Sequence, residues 1–582
     1  MKALTKYSSF PVLLLAVLIA LGGCNLIGGK GKNQSKPTKP IPSNRILAEY
    51  ASPGISSRNI LVVQGFGLVH NLGDNGGVEV DSLHRKLVID GLKRAGVQNP
   101  SQLVDSKDTA IVHVKAAIPP GTRKGDPIDM EISLPANSEC RSLQGGILSK
   151  TVLTEMMGVE NAFKRGNVIT VVEGPLLLDP EIDKSSSNYE KRAVILGMGE
   201  CRIDRDFNFS IDSDVWIPSQ KAKIASEMEQ RINKRFKIEG EPTGVAKAKS
   251  QPSVGVEVKM HPHYREAPRR YLAVIMSIRC FENETQQAQR IEDLKRELLD
   301  PEKSESAALQ LEALPARMGA DALYEGLKSP NSHVRFCSAE ALAYMRRPGI
   351  GPVLAEFARD DPKKRPAAIA ALASMGDLEA AENLLPLMAT GDAELRYGAF
   401  WALRRRNPDH PAIRAWPMDT YPYHYHVLPF DEPLVHATTS RRSEIVLFSQ
   451  NIRLNAPFWG NAGKSIMVHV ISPEQVRIVR VNPGRINEER LRPNDLHKVL
   501  EAIAELGGSY QDTLEFLTEA NVRQPNGHPA LTCRFVVDGI SRDKERSYHS
   551  AIYDDDFEFK HAVDEEPKKK SALGKLNPVT WW

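Results

Sequence analysis

The sequence predicts an α+β, multidomain chain in which a β-rich scaffold is interrupted by an all-α array of repeats. Three observations carry this. From Arg45 to about Arg279 short runs alternate apolar and polar residues with the period of a strand. From about Glu305 to Asn407 three helical units recur in register. From Arg441 the strand pattern returns, followed by a closing pair of helices. With 582 residues, 41% hydrophobic and 26% charged, the chain can bury several cores. A formal net charge of only +3 leaves no field to attract nucleic acid, so no nucleic-acid partner is expected. The expected segments are 1–23, 24–44, 45–285, 286–412, 413–535 and a tail, 536–582.

The first segment reads "MKALTKYSSFPVLLLAVLIALGGC". Lys2 and Lys6 precede an apolar run from Val12 to Leu21 that is too short for an ordinary membrane span, and small residues then lead to Cys24. Leu21-Gly22-Gly23-Cys24 resembles a bacterial lipobox. That resemblance makes Cys24 the lipidated N-terminus of an exported protein, and Asn25 after it resembles the pattern sorted to the outer membrane. Residues 25–44, rich in Gly, Lys, Ser, Asn and Pro, read as a flexible tether.

Next comes "NILVVQGFGLVHNLGDNGG", Asn59 to Gly77. A dinucleotide loop needs a third glycine where His70 stands, with a helix opening on it, and no Gly-Lys-Ser/Thr follows for a Walker loop. Gly65 and Gly67 are therefore read as backbone residues that let chains approach closely or bend the strand. Gly145-Gly146 is read as a tight turn with positive φ. "DPIDMEISL" and "VGVEVKM" alternate as half-buried strands, the first through Ile128, Met130, Ile132 and Leu134, the second through Val254, Val256, Val258 and Met260. One helix carries Leu83, Leu87, Val88 and Leu92 inward. A second begins near Ser219 and aligns Ile224, Met228, Ile232 and Phe236.

Four blocks in this part resemble, in order, the flagellar basal-body P-ring protein family: Asn59–Gly77, Asp108–Leu153, Arg165–Leu178 and Asp206–Phe236. Within them Pro119–Met130 is similar to the family's P-P-x-x-R-x-G-x-x-I-D stretch, and Ser142–Leu148 to its S-L-x-G-G-x-L turn.

The repeats follow. "NSHVRFCSAEALAYM", "DPKKRPAAIAALASM" and "DAELRYGAFWALRRR" align without gaps from Asn331, Asp361 and Asp392. Arg335, Arg365 and Arg396 fall four residues later, spaced by 30 and 31 residues, and Leu342, Leu372 and Leu403 seven further on. A capping residue, an arginine one turn in and a buried leucine are what stacked helical hairpins need. The units resemble short HEAT-like repeats. They read as an autonomous insertion from 305 to 407, with the proline-rich stretch 407–426 returning the chain to its host. Beyond it "RRSEIVLFSQNIRL", "GKSIMVHVI" and "VRIVRV" are strands. Asp495 caps a helix that Gly507 closes, and "SYQDTLEFLTEA" follows, a pair that resembles the closing helical hairpin of the P-ring family.

Beyond Cys24 five cysteines remain, Cys140, Cys201, Cys280, Cys337 and Cys533. Their odd number leaves at least one unpaired, for which helical Cys337 is expected, and the pairing of the others stays open. The pairs His261/His263 and His424/His426 could share a strand face as metal ligands, but Pro262 breaks the first pair's strand and no acidic ligand accompanies either. With no nucleophile or metalloprotease motif present, neither an enzyme nor a cofactor is expected. The P-ring resemblance implies a structural function: a homo-oligomeric periplasmic ring around the flagellar rod, in contact with rod and L-ring proteins and with peptidoglycan, here tied to the outer membrane through Cys24. Two alternatives stand beside it. One is an outer-membrane lipoprotein scaffold recruiting a protein partner through the repeats in a non-flagellar complex, and the other is a metal-dependent envelope enzyme using the histidine pairs.

Replacing Cys24 with Ala is expected to leave an uncleaved or soluble exported form, because the acyl chains supply the membrane affinity. Retention of that variant in the outer-membrane fraction without a partner would overturn the anchor.

Overall fold

Alternating apolar residues close the N-terminal strands into a barrel. The computed structural model describes residue 41 and residues 44–537, apart from short internal stretches of which the longest are 78–82, 180–184 and 212–217. The signal segment, Cys24, the tether before residue 41 and the tail beyond 537 lie outside the described residues. Strands β1 (Leu61–His70), β2 (Ala110–Ile118), β3 (Pro127–Ser133), β4 (Ile147–Val159), β5 (Ala162–Pro175) and β6 (Arg192–Cys201) pair antiparallel in the order β3-β2-β1-β4-β5-β6. Strand β6 pairs again with β3, so six strands form a closed ring. Closure leaves no open edge between them. Val112, Val114, Ala116 and Ile118 alternate along β2 into one core with Met130, Ile132, Leu153 and Ile195.

The glycine-rich strand is β1, and a single 3-10 turn, Gly73–Asn75, follows it rather than a phosphate-cradling helix. A Cβ on Gly65 would stand 2.5 Å from the Val152 carbonyl oxygen, and one on Gly67 2.3 Å from Thr151 Oγ1. Both neighbours belong to β4, whose pairing with β1 shifts register between Gln64 and Val69. Close approach is thus the reason for glycine here. At the next pair, positive φ belongs to Gly145 alone (+78°), while Gly146 is needed because a Cβ would meet Val69 and Leu72 at 2.6 and 2.9 Å.

Helix α1 (Leu83–Arg94) packs on the barrel's outside through Val88 and Ile89, against Leu68 and Ile111. Leu83, expected to face inward, is 46% exposed, because the helix turns its buried stripe one residue further along. Helix α2 (Pro218–Arg235) buries Ile224, Met228 and Ile232, with Phe236 just beyond it. It covers a four-stranded sheet made of Ala246–Lys249, Gly255–Val258, Phe207–Ile211 and Ala51–Pro53. Helix α3 (Pro268–Met276) leads toward the helical run.

That run comprises α4 (Glu284–Leu298), α5 (Ser304–Glu312), α6 (Ala320–Gly326), α7 (Ser332–Tyr344), α8 (Gly351–Asp360), α9 (Arg365–Ser374), α10 (Asp377–Ala389) and α11 (Ala393–Arg406). Successive pairs pack as hairpins, and α5, α7, α9 and α11 stack side by side as one layer. Leu342, Leu372 and Leu403 have no exposed surface. The three recurrent arginines all donate to backbone carbonyls of the chain just before their own helix; for Arg365 and Arg396 these lie in the last turn of the preceding helix, where four acceptors lack intrahelical partners. Arg335 reaches Ser329 and Pro330, Arg365 reaches Ala358 and Arg359, and Arg396 reaches Met388. Asn331 and Asp392 cap α7 and α11, whereas Asp361 precedes its helix by a turn, because α9 starts only at Arg365-Pro366.

Two further four-stranded sheets follow. One contains β7 (His424–Val427), β8 (Leu434–Ala437), β9 (Glu444–Leu447) and β14 (Arg534–Val537), in the order β7-β9-β8-β14. The other is the antiparallel run β10 (Phe458–Ala462), β11 (Ile466–Ser472), β12 (Gln475–Arg480) and β13 (Glu488–Pro493). Helices α12 (Leu496–Glu505) and α13 (Tyr510–Asn521) close the core, with Asp495 and Ser509 as caps and Gly507 at φ +79°. This core takes in Leu177, Val194 and Leu196 from the barrel end, so the two β-rich parts, far apart in sequence, are packed as one.

A Val at position 65 is expected to cost about 2 kcal/mol or more, since the backbone oxygen it meets cannot turn aside. An Ala at 145, with nothing within 4 Å of its Cβ, is expected to cost about 1 kcal/mol from backbone strain alone. Urea unfolding of both variants checks this, and the reverse ranking would refute the close-approach account.

Candidate functional site

The Pro119–Met130 motif forms a loop whose own side chains hold it. Thr122 donates to the Pro119 carbonyl at 2.7 Å, Arg123 donates to Asp206 at 2.5 Å, and Asp126 accepts from the Arg123 amide at 2.8 Å. Gly125 sits at φ +87°, with its amide on the Cys201 carbonyl. Asp129 reaches farther in sequence. Its carboxylate accepts from the amides of Gly197 in β6 and Arg441 ahead of β9, at 2.7 and 2.6 Å. A Cβ on Gly197 would overlap the Arg441 carbonyl oxygen. The motif is therefore a clamp between barrel and C-terminal sheet.

A second set of contacts ties the helical run to both β-rich parts. At its start Glu312, with no exposed surface, accepts from the Tyr264 hydroxyl at 2.7 Å and from Arg270 at 2.5 and 3.1 Å. Arg270 also pairs with Glu340 of α7, and Tyr264 stacks on Tyr344 with ring centres 4.9 Å apart. At its end Glu444 of β9, likewise without exposed surface, takes the Arg404 guanidinium and accepts from the Tyr397 hydroxyl at 2.9 Å. Arg442 and His426 lie 3.3 Å away. Burial by itself would raise the Glu444 carboxyl, but Arg404, His426 and Arg442 outweigh it and hold it well below the usual carboxylate range. Tyr397 stacks on His436, with ring centres 3.8 Å apart.

These contacts bear on the reading of 305–407 as an autonomous insertion. Excising it would leave Arg270 without Glu312 and Glu340, and Glu444 without Arg404 and Tyr397. The stretch 407–426 is not a free return either: Ala415 bridges to His426, the Trp416 amide donates to the Tyr425 carbonyl, and Tyr421, Tyr423 and Tyr425 are buried in the C-terminal core. Nor did sequence reasoning find Glu312 and Glu444. Their signal was a lone carboxylate in an apolar run, "ALQLEAL" and "SEIVLF".

The remaining candidates fall apart as a site. His261 caps a 3-10 turn that contains His263, with the rings 5.9 Å apart, and His426 belongs to the Glu444 cluster. Among the described residues no group of three or more His, Cys, Asp or Glu is arranged to hold a metal. Cys140, Cys201, Cys280, Cys337 and Cys533 are all free thiols, so Cys337 is not singular. No described helix is long and apolar enough to cross a membrane.

Comparison with known proteins finds a similarity over the N-terminal part: residues 54–291 match the model of the flagellar P-ring protein family. That span contains all four N-terminal blocks that carried the resemblance. The chain is 30% identical over 181 residues to the flagellar P-ring protein of Thermotoga maritima, covering 30% of this chain and 51% of that one. Against the flagellar P-ring protein of Fervidobacterium nodosum it is 32% identical over 202 residues, 34% and 56% of the respective chains. Against that of Campylobacter jejuni subsp. jejuni it is 28% identical over 174 residues, 30% and 48%. The chain thus spans about half the length of the curated relatives it matches, and the family match ends before α5.

Replacing Glu444 with Gln is expected to destabilise the protein by about 3–5 kcal/mol near neutral pH, because Arg404 and Arg442 lose their buried counter-charge. A carboxyl held low in the fold contributes stability that is complete above its ordinary value of 4.5 and is lost as pH falls through its folded value. The gap between parent and variant should therefore narrow on acidification below 4.5. Urea midpoints measured against pH test this, and a gap independent of pH would refute it.

Proposed function

We propose that the protein is a structural component of the bacterial flagellar basal body and assembles with copies of itself into a periplasmic P ring around the rod. The observation that carries this is the family match over 54–291, which falls on the barrel and its clamp loop. Support comes from the packing of 413–535 on that same barrel, which keeps the two β-rich parts together despite the helices between them. A ring requires a head-to-tail contact repeated until it closes, and a rigid barrel suits that demand. In this reading the partners are further copies of the chain, rod and L-ring proteins and peptidoglycan, with Cys24 as the lipid anchor to the outer membrane. The helical run at 286–412, HEAT-like in pattern, adds a surface for a further protein partner. No catalytic step and no cofactor belongs to the reading.

Electron microscopy of purified basal bodies carrying a tagged copy is the test. The tag is expected on a ring around the rod, and a deletion strain is expected to lack that ring and swarming motility. A tag absent from basal bodies, with motility intact in the deletion strain, would overturn the proposal.

A further inference from the structure

Where the sheet-covering helix α2 meets the helical run, a cavity of about 160 Å³ is lined by Arg235, Lys237, His261, His263, Arg346 and Arg347, together with Leu314, Tyr264, Tyr344 and Met345. Its charged lining is entirely basic. Among the described residues no carboxylate lies within ion-pair distance of Lys237, Arg346 or Arg347. Arg235 engages two of its nitrogens, with the Glu312 carbonyl at 2.5 Å and the Tyr264 hydroxyl at 3.1 Å. A guanidinium carries five N–H donors in a planar fork, so Arg235 keeps others available.

Two details show that this concentration of charge is built. Arg346 ends α7 at φ +56°, with its amide on the Ala343 carbonyl and the Arg347 amide on the Leu342 carbonyl. That helix ending ordinarily takes glycine at the left-handed position. A strained arginine there holds its guanidinium at the cavity mouth, and strain of this kind gathers at functional sites. In addition, Nε2 of His263 is buried with no hydrogen-bond partner, as is Nε of Arg347. Burial first, and then Arg346, His261, Arg406 and Arg235 around it, pushes the His263 imidazole down to about 4. His261 is pushed down to about 4 by burial, Arg235 and Arg346. Near neutral pH both rings are uncharged and can each present one N–H.

A concave cluster of guanidiniums with neutral imidazole donors and no carboxylate in its described lining suits a compact, multiply charged oxyanion, and forked N–H pairs match the oxygens of phosphate. We propose that this cavity binds a phosphoryl group, that of a soluble phosphate monoester or of a lipid headgroup. Arg235, Lys237, His261 and His263 come from the family-matched region and Arg346 and Arg347 from the helical run, so neither part alone makes the site.

The test uses the full chain with three probes: inorganic phosphate, glycerol 3-phosphate, and neutral vesicles with and without phosphatidic acid. Binding is followed by calorimetry and vesicle flotation. The parent is expected to bind at least one probe saturably, and Arg346→Gln/Arg347→Gln, the first exposed and the second half-buried, to weaken that binding at least tenfold with an unchanged melting temperature. Lys295→Gln/Lys328→Gln, which removes equal charge elsewhere, is expected to leave it unchanged. Binding of the soluble probes assigns a soluble ligand, and binding of phosphatidic acid vesicles alone assigns a headgroup. Failure to bind any probe, binding retained by the arginine variant, or equal loss in the lysine control would overturn the proposal.

Discussion

Two carboxylates without exposed surface, Glu312 and Glu444, hold the helical run in its place, and the rest of the architecture depends on them. A buried carboxylate is tolerable only with partners that replace its water. Glu312 finds Arg270 and Tyr264 of the family-matched region, and Glu444 finds Arg404 and Tyr397 of the last helix. Opposite ends of the same array are thus pinned to opposite β-rich parts. Charge pairs specify such junctions better than apolar contact would, because a displaced helix would leave a buried ion alone.

Within the array a weaker device repeats. Arg365 and Arg396 cover carbonyls that end the helix before them, Arg335 covers those of the connection before its own helix, and Arg365 also reaches Asp392, the cap of the next unit, at 3.0 Å. Arg396 has no further unit to meet. Its guanidinium donates instead to the Glu432 carbonyl, ahead of β8. The contact that stacks one repeat on the next therefore also docks the last repeat on the sheet, and the array ends without an exposed cap.

The clamp loop and the glycines act in a different way, through space rather than charge. Asp129 accepts two amides brought together from β6 and from the approach to β9, and Gly197 leaves room for the second chain to pass. This explains how a helical run of more than a hundred residues can lie between two β-rich parts without separating them. The parts meet through backbone contacts set by the barrel, and the helices are accommodated beside them.

Much of this was legible along the chain, because it rests on periodicity and local backbone demands. The alternation of Ile128, Met130 and Ile132 marked a strand with one buried face, the spacing of Ile224, Met228, Ile232 and Phe236 a helix stripe, and the recurrence of Arg335, Arg365 and Arg396 a stacked array. The four blocks from Asn59 to Phe236 carried the resemblance that the family model matches over 54–291. What the sequence by itself determined is thus whatever near neighbours decide: element type, repeat register and the glycine positions. Only the tertiary structure decided that β3 meets β6 to close the barrel, that Tyr421, Tyr423 and Tyr425 belong to a core rather than a linker, and that Glu312, Glu444 and the basic cavity at Arg346 exist as clusters. The reason is physical: a buried charge is paid for by partners dozens to hundreds of residues away, and no local pattern records which they are.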